Sequence, residues 1–165
     1  MDIGILLLRA VVGLTLAAHG GQKLFGWFNG PGLAGAAKGL EHLGFYPGRR
    51  HAAMAGVVEL LGGALLAIGL FTPIAATVVL SVMVVAAVSA HVKQGFFLTS
   101  GGYEYNAVLG LAGLAVAFIG PGRLSIDAAL GLAVGGPAWG VAALAVGVVG
   151  AVFQLAQRRT APIAA

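Results

Sequence analysis

The chain has 165 residues, of which 59% are hydrophobic and only 8% charged, with a formal net charge of +4. A soluble domain carries about a quarter charged residues, so this composition excludes one; apolar runs of about 17 or more residues describe an integral membrane protein in contact with the lipid bilayer. No basic stripe interleaved with aromatics is present, which excludes nucleic acid as a partner, and the absence of cysteine excludes disulfides, dithiol relays and Cys-ligated iron–sulfur or metal sites.

In chain order, the first apolar run spans Ile3–Phe25 and carries Arg9, His19 and Lys23. A cleaved signal peptide is the alternative for this run, but Asp2 stands where a basic cluster belongs and Arg9 interrupts the apolar stretch. A polar, Gly-rich connection follows to about Gly48, and Gly32–Leu43 within it has the spacing of a short interfacial helix. The second spanning helix is expected over His51–Leu70, with Glu59 near its middle. Pro73 can only begin a helix, so Phe71-Thr72-Pro73 turns the chain into a third span, Pro73–Val92. After a Gly- and aromatic-rich loop, Lys93–Gly102, a short fourth span runs over Tyr103–Ile119 and ends at Gly120-Pro121-Gly122. Residues 123–137 form a second loop whose apolar stretch, Ala128–Val134, is too short to cross. The last span, Ala138–Leu155, has no ionisable residue, and the tail from Gln157 is expected to be disordered. The fold class is therefore all-α: an integral membrane helical bundle with a four-helix core and a fifth, C-terminal transmembrane helix.

Five crossings put Lys23, Lys38, Arg49, Arg50, Lys93, Arg158 and Arg159 on one side and leave Arg9 and Arg123 on the other. The positive-inside bias then places the basic side in the cytoplasm, the amino terminus outside and the carboxyl terminus within.

A charged residue inside a spanning helix costs roughly 2.5–3.5 kcal/mol or more in lipid, so the first helix needs a polar interior to face. At about 100° per residue, Lys23 lies roughly 40° around the helix from Arg9. Gly13, Leu16 and Gly20 share that stripe, and His19 sits one turn before Lys23. Glu59, flanked by Gly56, Gly62 and Gly63, is the carboxylate that could meet it. Arg9 is its expected partner across about 5–10 Å of depth. Such a pair is either a registry device or a functional group, a proton acceptor or a polar anchor for a membrane-soluble ligand. A second cluster is expected at the cytoplasmic interface: His19, Gln22 and Lys23, His91 at the end of the third span, and Tyr103, Glu104 and Tyr105 at the start of the fourth. His or Lys donating to a carbonyl and rings stacking on a ring plane suit a quinone head group. Metal binding by His19, His91 and Glu104 is the rival, without any short-range metal spacing to support it, and single snorkelling side chains are the plainest alternative. His42 and His51 read as loop polarity.

Four strings in order, HGGQKLFGWF (19–28), VVELLGG (57–63), GFFLTSGGYEY (95–105) and GPGRLSID (120–127), resemble the DoxX family of small bacterial membrane proteins. The resemblance covers about residues 3–127, which divides the chain into a four-helix domain over 1–127, a linker with an extra helix over 128–157, and a tail over 158–165. It implies a bacterial inner-membrane protein with a four-helix core and an association with redox systems. The family is named with the membrane subunit of a thiosulfate:quinone oxidoreductase, and its members are described as parts of systems handling sulfur compounds or oxidative stress. The expectation is therefore a membrane subunit that contacts quinone and a soluble or membrane oxidoreductase partner, any thiol chemistry residing in that partner. Two other readings stand beside it: a non-enzymatic scaffold recruiting soluble redox enzymes through Gly26–Arg50 and Lys93–Gly102, and a small-solute or proton carrier using Arg9 and Glu59. The glycines on the helix faces also allow a homo-oligomer.

Overall fold

The computed structural model describes residues 2–159. Among the described residues seven α-helices follow one another: α1 Asp2–Phe25, α2 Gly32–His42, α3 Gly48–Ile68, α4 Thr72–Ala86, α5 Glu104–Ile119, α6 Ile126–Ala129 and α7 Pro137–Ala156. Four helical stretches among the described residues are long and apolar enough to cross a membrane: Asp2–Phe25, Gly48–Ile68, Thr72–Gln94 and Pro137–Ala156. The shorter α5 is also apolar, about 24 Å long at 1.5 Å per residue, and packs on α4 and α7. The chain is a multi-pass membrane protein with an all-α bundle fold.

Glycine decides which helices come closest. A Cβ on Gly13 of α1 would lie 2.5 Å from the Gly63 carbonyl oxygen of α3, and Gly20 faces Gly56 and Leu60 in the same way. The two antiparallel backbones therefore touch, which is how helices gain dispersion energy where lipid offers no hydrophobic drive. Between helices, Leu16, Leu66, Val79 and Val116 are fully buried. Outward, the bundle presents Leu7, Val11, Leu14, Val149 and Phe153, each more than half exposed. An apolar surface of that extent needs lipid around it.

The two ends of the bundle are closed differently from one another. At the Asp2 end, the Arg123 amide donates to Asp2 Oδ1 at 2.9 Å, and the Gly136 amide donates to the Phe118 carbonyl at 2.9 Å. At the Phe25 end, the Arg159 amide donates to the Gly44 carbonyl at 2.6 Å, Arg158 Nε to the Leu43 carbonyl at 2.9 Å, and Arg159 Nε to the Tyr46 carbonyl at 3.2 Å. The tail expected to be loose from Gln157 is thus tied down through Arg159, because both arginines find backbone acceptors beside α2; residues 160–165 lie outside the described residues. Two further differences concern helices. The third span does not run regularly to Val92 but widens into a π turn at Ala87–His91 and tightens into a 3₁₀ turn at Val92–Gln94. The loop after α5 holds a one-turn helix, α6, whose N-cap Ser125 hydroxyl accepts from the Ala128 amide at 3.1 Å.

Candidate functional site

The α1–α3 seam sets which polar groups meet. With Gly13 against Gly63 and Gly20 against Gly56, Glu59 falls opposite the His19 turn of α1, and Lys23 one turn further on reaches it. Lys23 Nζ donates to Glu59 Oε2 in a salt bridge, the lysine side chain 28% exposed and the carboxylate 5%. Beside them, His19 Nε2 and the Tyr105 hydroxyl of α5 are hydrogen-bonded at 3.0 Å, the two rings meeting edge to face at 5.9 Å. Three helices thus contribute one compact polar group inside the bundle.

The expected Arg9–Glu59 pair is not formed. In the observed register Arg9 stands about 15 Å along α1 from the His19 turn that faces Glu59, too far for a guanidinium to span. Arg9 is fully buried at the Asp2 end instead. Its Nη2 donates to the Leu124 carbonyl at 2.5 Å, and its guanidinium lies against Gly69, where any Cβ would collide with Nη1 and where φ is +67°. Beside it stands the carboxylate of Asp127, whose amide donates to the Gly69 carbonyl at 2.8 Å. That carboxylate, also fully buried, accepts from the Phe71 amide at 2.8 Å and the Thr72 amide at 2.9 Å. A carboxylate on the first amides of a helix offsets the orphan donors and the positive end of its dipole. Here it also holds Phe71 in a left-handed turn, at φ 49°.

His91, Tyr103 and Glu104 do not join His19 and Lys23; they fold the Lys93–Gly102 loop. His91 Nδ1 donates to the Gly101 carbonyl at 2.7 Å, and Glu104 Oε2 accepts from the Leu98 amide at 2.9 Å. Tyr103 packs edge to face on Phe96 at 5.5 Å. With His19, His91 and Glu104 each engaged elsewhere, no group of three His, Cys, Asp or Glu among the described residues gathers to hold a metal.

A cavity of about 340 Å³ reaches the Lys23–Glu59 pair. Its walls come from α3 (Met54, Ala55, Val58), the third span (Val82, Val85, Ala86) and the α2–α3 junction (Leu40, Leu43, Phe45). His51, which the sequence suggested was mere loop polarity, is 6% exposed and borders this cavity with Gln154 of α7, whose Nε2 donates to His51 Nδ1 at 3.1 Å. The cavity is mostly apolar, with Ser81 and Ser89 of the third span on its wall and charged or polar groups at Glu59 and Gln154. Nothing in the spacing of His51 and Gln154 could have joined them, since they lie on helices separated by most of the chain. Asp127 left a fainter signal: Ser125-Ile126-Asp127 is a helix-start pattern, but it reads as a cap for its own short helix, not for α4.

A bundle of apolar helices with a polar group buried against an internal cavity defines a multi-pass membrane protein with a ligand-sized site. The DoxX family model matches residues 4–92, which includes α1, α3, the Lys23–Glu59 pair and most of the cavity wall, and the chain belongs to the DoxX family. The match is shorter than the four strings suggest, ending before α5. No curated protein and no solved structure matches the chain.

Proposed function

We propose that this protein is the membrane subunit of a redox system and that the cavity beside Lys23 and Glu59 receives the head group of a quinone. The observation that carries this reading is the cavity of about 340 Å³ that meets the buried Glu59, charge-paired with Lys23, within a mostly apolar wall. The donor set fits a quinone. Lys23 Nζ supplies N–H donors to a carbonyl oxygen, while Glu59, His19 and Tyr105 supply groups that hold or pass a proton. Phe45 provides an aromatic face in the wall, in place of the Tyr103 and Tyr105 rings expected from the sequence. A bound quinone would supply two-electron, two-proton chemistry; the chain's own part is to orient the head group, exclude water and hold the Glu59 carboxylate against Lys23.

With no cysteine in the chain, thiol or sulfur chemistry falls to an oxidoreductase partner, which docks on the Lys- and Arg-rich Phe25 end of the bundle. By the positive-inside bias that end faces the cytoplasm of a bacterial inner membrane. The test is titration of the purified protein in detergent with a short-tailed benzoquinone. Saturable binding is expected, weakened at least tenfold in Glu59→Gln and His19→Ala. Absent saturation, or an affinity equal to the parent's in both variants, overturns the proposal.

A further inference from the structure

A second cavity, about 400 Å³, lies on the other flank of the third span, between it and α5. The two spaces are distinct: Val82, Val85 and Ala86 line the first, and Met83, Val84 and Ala87 the second. No charged side chain lines the second cavity, and its only polar side chains are Tyr103 at one end and Asn106 within it. Asn106 is 6% exposed, and its Nδ2 has as partner only the Met83 thioether, at 3.7 Å. A thioether is a weak acceptor, so a strong amide donor is held in a nearly dry place without a matching partner, at a cost on the scale of a lost hydrogen bond. Ala87 and Val88 of the π turn form part of the same wall, and interruptions of this kind in a helix gather at functional sites. Gly110 on α5 keeps the groove open, since a Cβ there would press on Met83 at 3.3 Å.

We propose that this groove binds a neutral amphiphile, which presents a carbonyl oxygen to the Asn106 amide and lays its apolar tail along Leu80, Val84 and Leu111. A charged head would find no counter-ion here and would carry the full desolvation penalty. A plain hydrocarbon would leave the amide with the thioether. The carbonyl can come from a glycerolipid ester or from a quinone, and the proposal does not depend on the Lys23–Glu59 site.

The probe is a diazirine-bearing monoacylglycerol, crosslinked to the full-length protein in detergent and mapped residue by residue by mass spectrometry, in the Glu59→Gln background that weakens the first site. Crosslinks are expected to concentrate on Met83, Val84, Ala87 and residues 103–111, and to spare Val82, Val85 and Ala86 on the first cavity's side of the span. They should fall at least fivefold in Asn106→Leu, which removes the amide, and in Ala107→Phe, which fills the groove; the elution profile of each variant reports its fold. Competition by unlabelled monoacylglycerol but not by a short-tailed benzoquinone identifies a glycerolipid, and the reverse identifies a quinone. Labelling spread over the outer faces of α1 and α7, unchanged labelling in a folded Asn106→Leu, failure of both competitors, or stronger labelling by an anionic diazirine fatty acid overturns the proposal.

Discussion

Arg9 and Glu59 are both ionisable residues buried in spanning helices, yet the regions around them are built for different ends. Around Arg9, the hydrogen bonds that form run to backbone: Arg9 Nη2 to the Leu124 carbonyl, and the Phe71 and Thr72 amides to Asp127, while Arg9 Nε and Nη1 are buried without a partner. That arrangement stitches the Gly120–Gly136 loop to the turn between α3 and α4, and neither of the two cavities described above reaches it. Around Glu59 the bonds run from side chain to side chain, Lys23 to Glu59 and His19 to Tyr105, and a cavity adjoins them. Side chains can exchange such bonds for a ligand's without unfolding the backbone. Burial of charge alone, then, does not mark a ligand site in this bundle; the nature of the partners does.

If this contrast is right, the largest effect of any single change should fall on the Asp2 end. Asp127→Ala removes two charge-assisted caps on the start of α4 in a fully buried place, and should cost about 3–5 kcal/mol. It would be read as a lowered melting temperature and loss of monodisperse protein, with quinone affinity unchanged in whatever fraction folds. A variant as stable as the parent would show that the clamp is not one. Next in size is the salt bridge: Lys23→Met strands a buried carboxylate, and Lys23→Met with Glu59→Gln should recover part of the loss. A double-mutant cycle on thermal or chemical unfolding should give a coupling of about 1–3 kcal/mol; additive effects would mean that the two residues do not form a pair.

Smaller still, Tyr105→Phe removes one hydroxyl and keeps the ring. A stability change near 1 kcal/mol, with roughly tenfold weaker quinone binding, about 1.4 kcal/mol, would place Tyr105 in the binding group through His19; loss of stability alone would make the contact structural. Least of all, Glu104→Gln should move global stability by about 0.5 kcal/mol or less while the Leu98 amide, its bonding partner, exchanges hydrogen faster. A global effect as large as that of Asp127→Ala would erase the distinction between the loop and the clamp.

Much of the architecture was legible without coordinates. Apolar run length, Pro73 after a two-residue turn, and Gly120-Pro121-Gly122 state where spans begin and end, because a bilayer tolerates only segments whose backbone bonds are satisfied internally. The inward turn of the Arg9, His19 and Lys23 stripe was legible too, since lipid penalises charge wherever the helix goes. The partners were not. Periodicity gives the face of a helix but not its depth against a neighbour, and a register about 5–10 Å away from the expected one moved Glu59 from Arg9 to Lys23. That register is fixed by Gly13, Gly20, Gly56 and Gly63 meeting backbone to backbone, a contact that exists only once two helices are packed. The same holds for Asp127 on α4 and for Gln154 on His51, which join distant parts of the chain. The sequence by itself determined the class of protein, its spans and the side of each helix that turns inward, because these depend on local energies of transfer from water. The tertiary structure alone decided which charges pair and where space is left beside them, because those follow from the close packing of surfaces that no single helix carries.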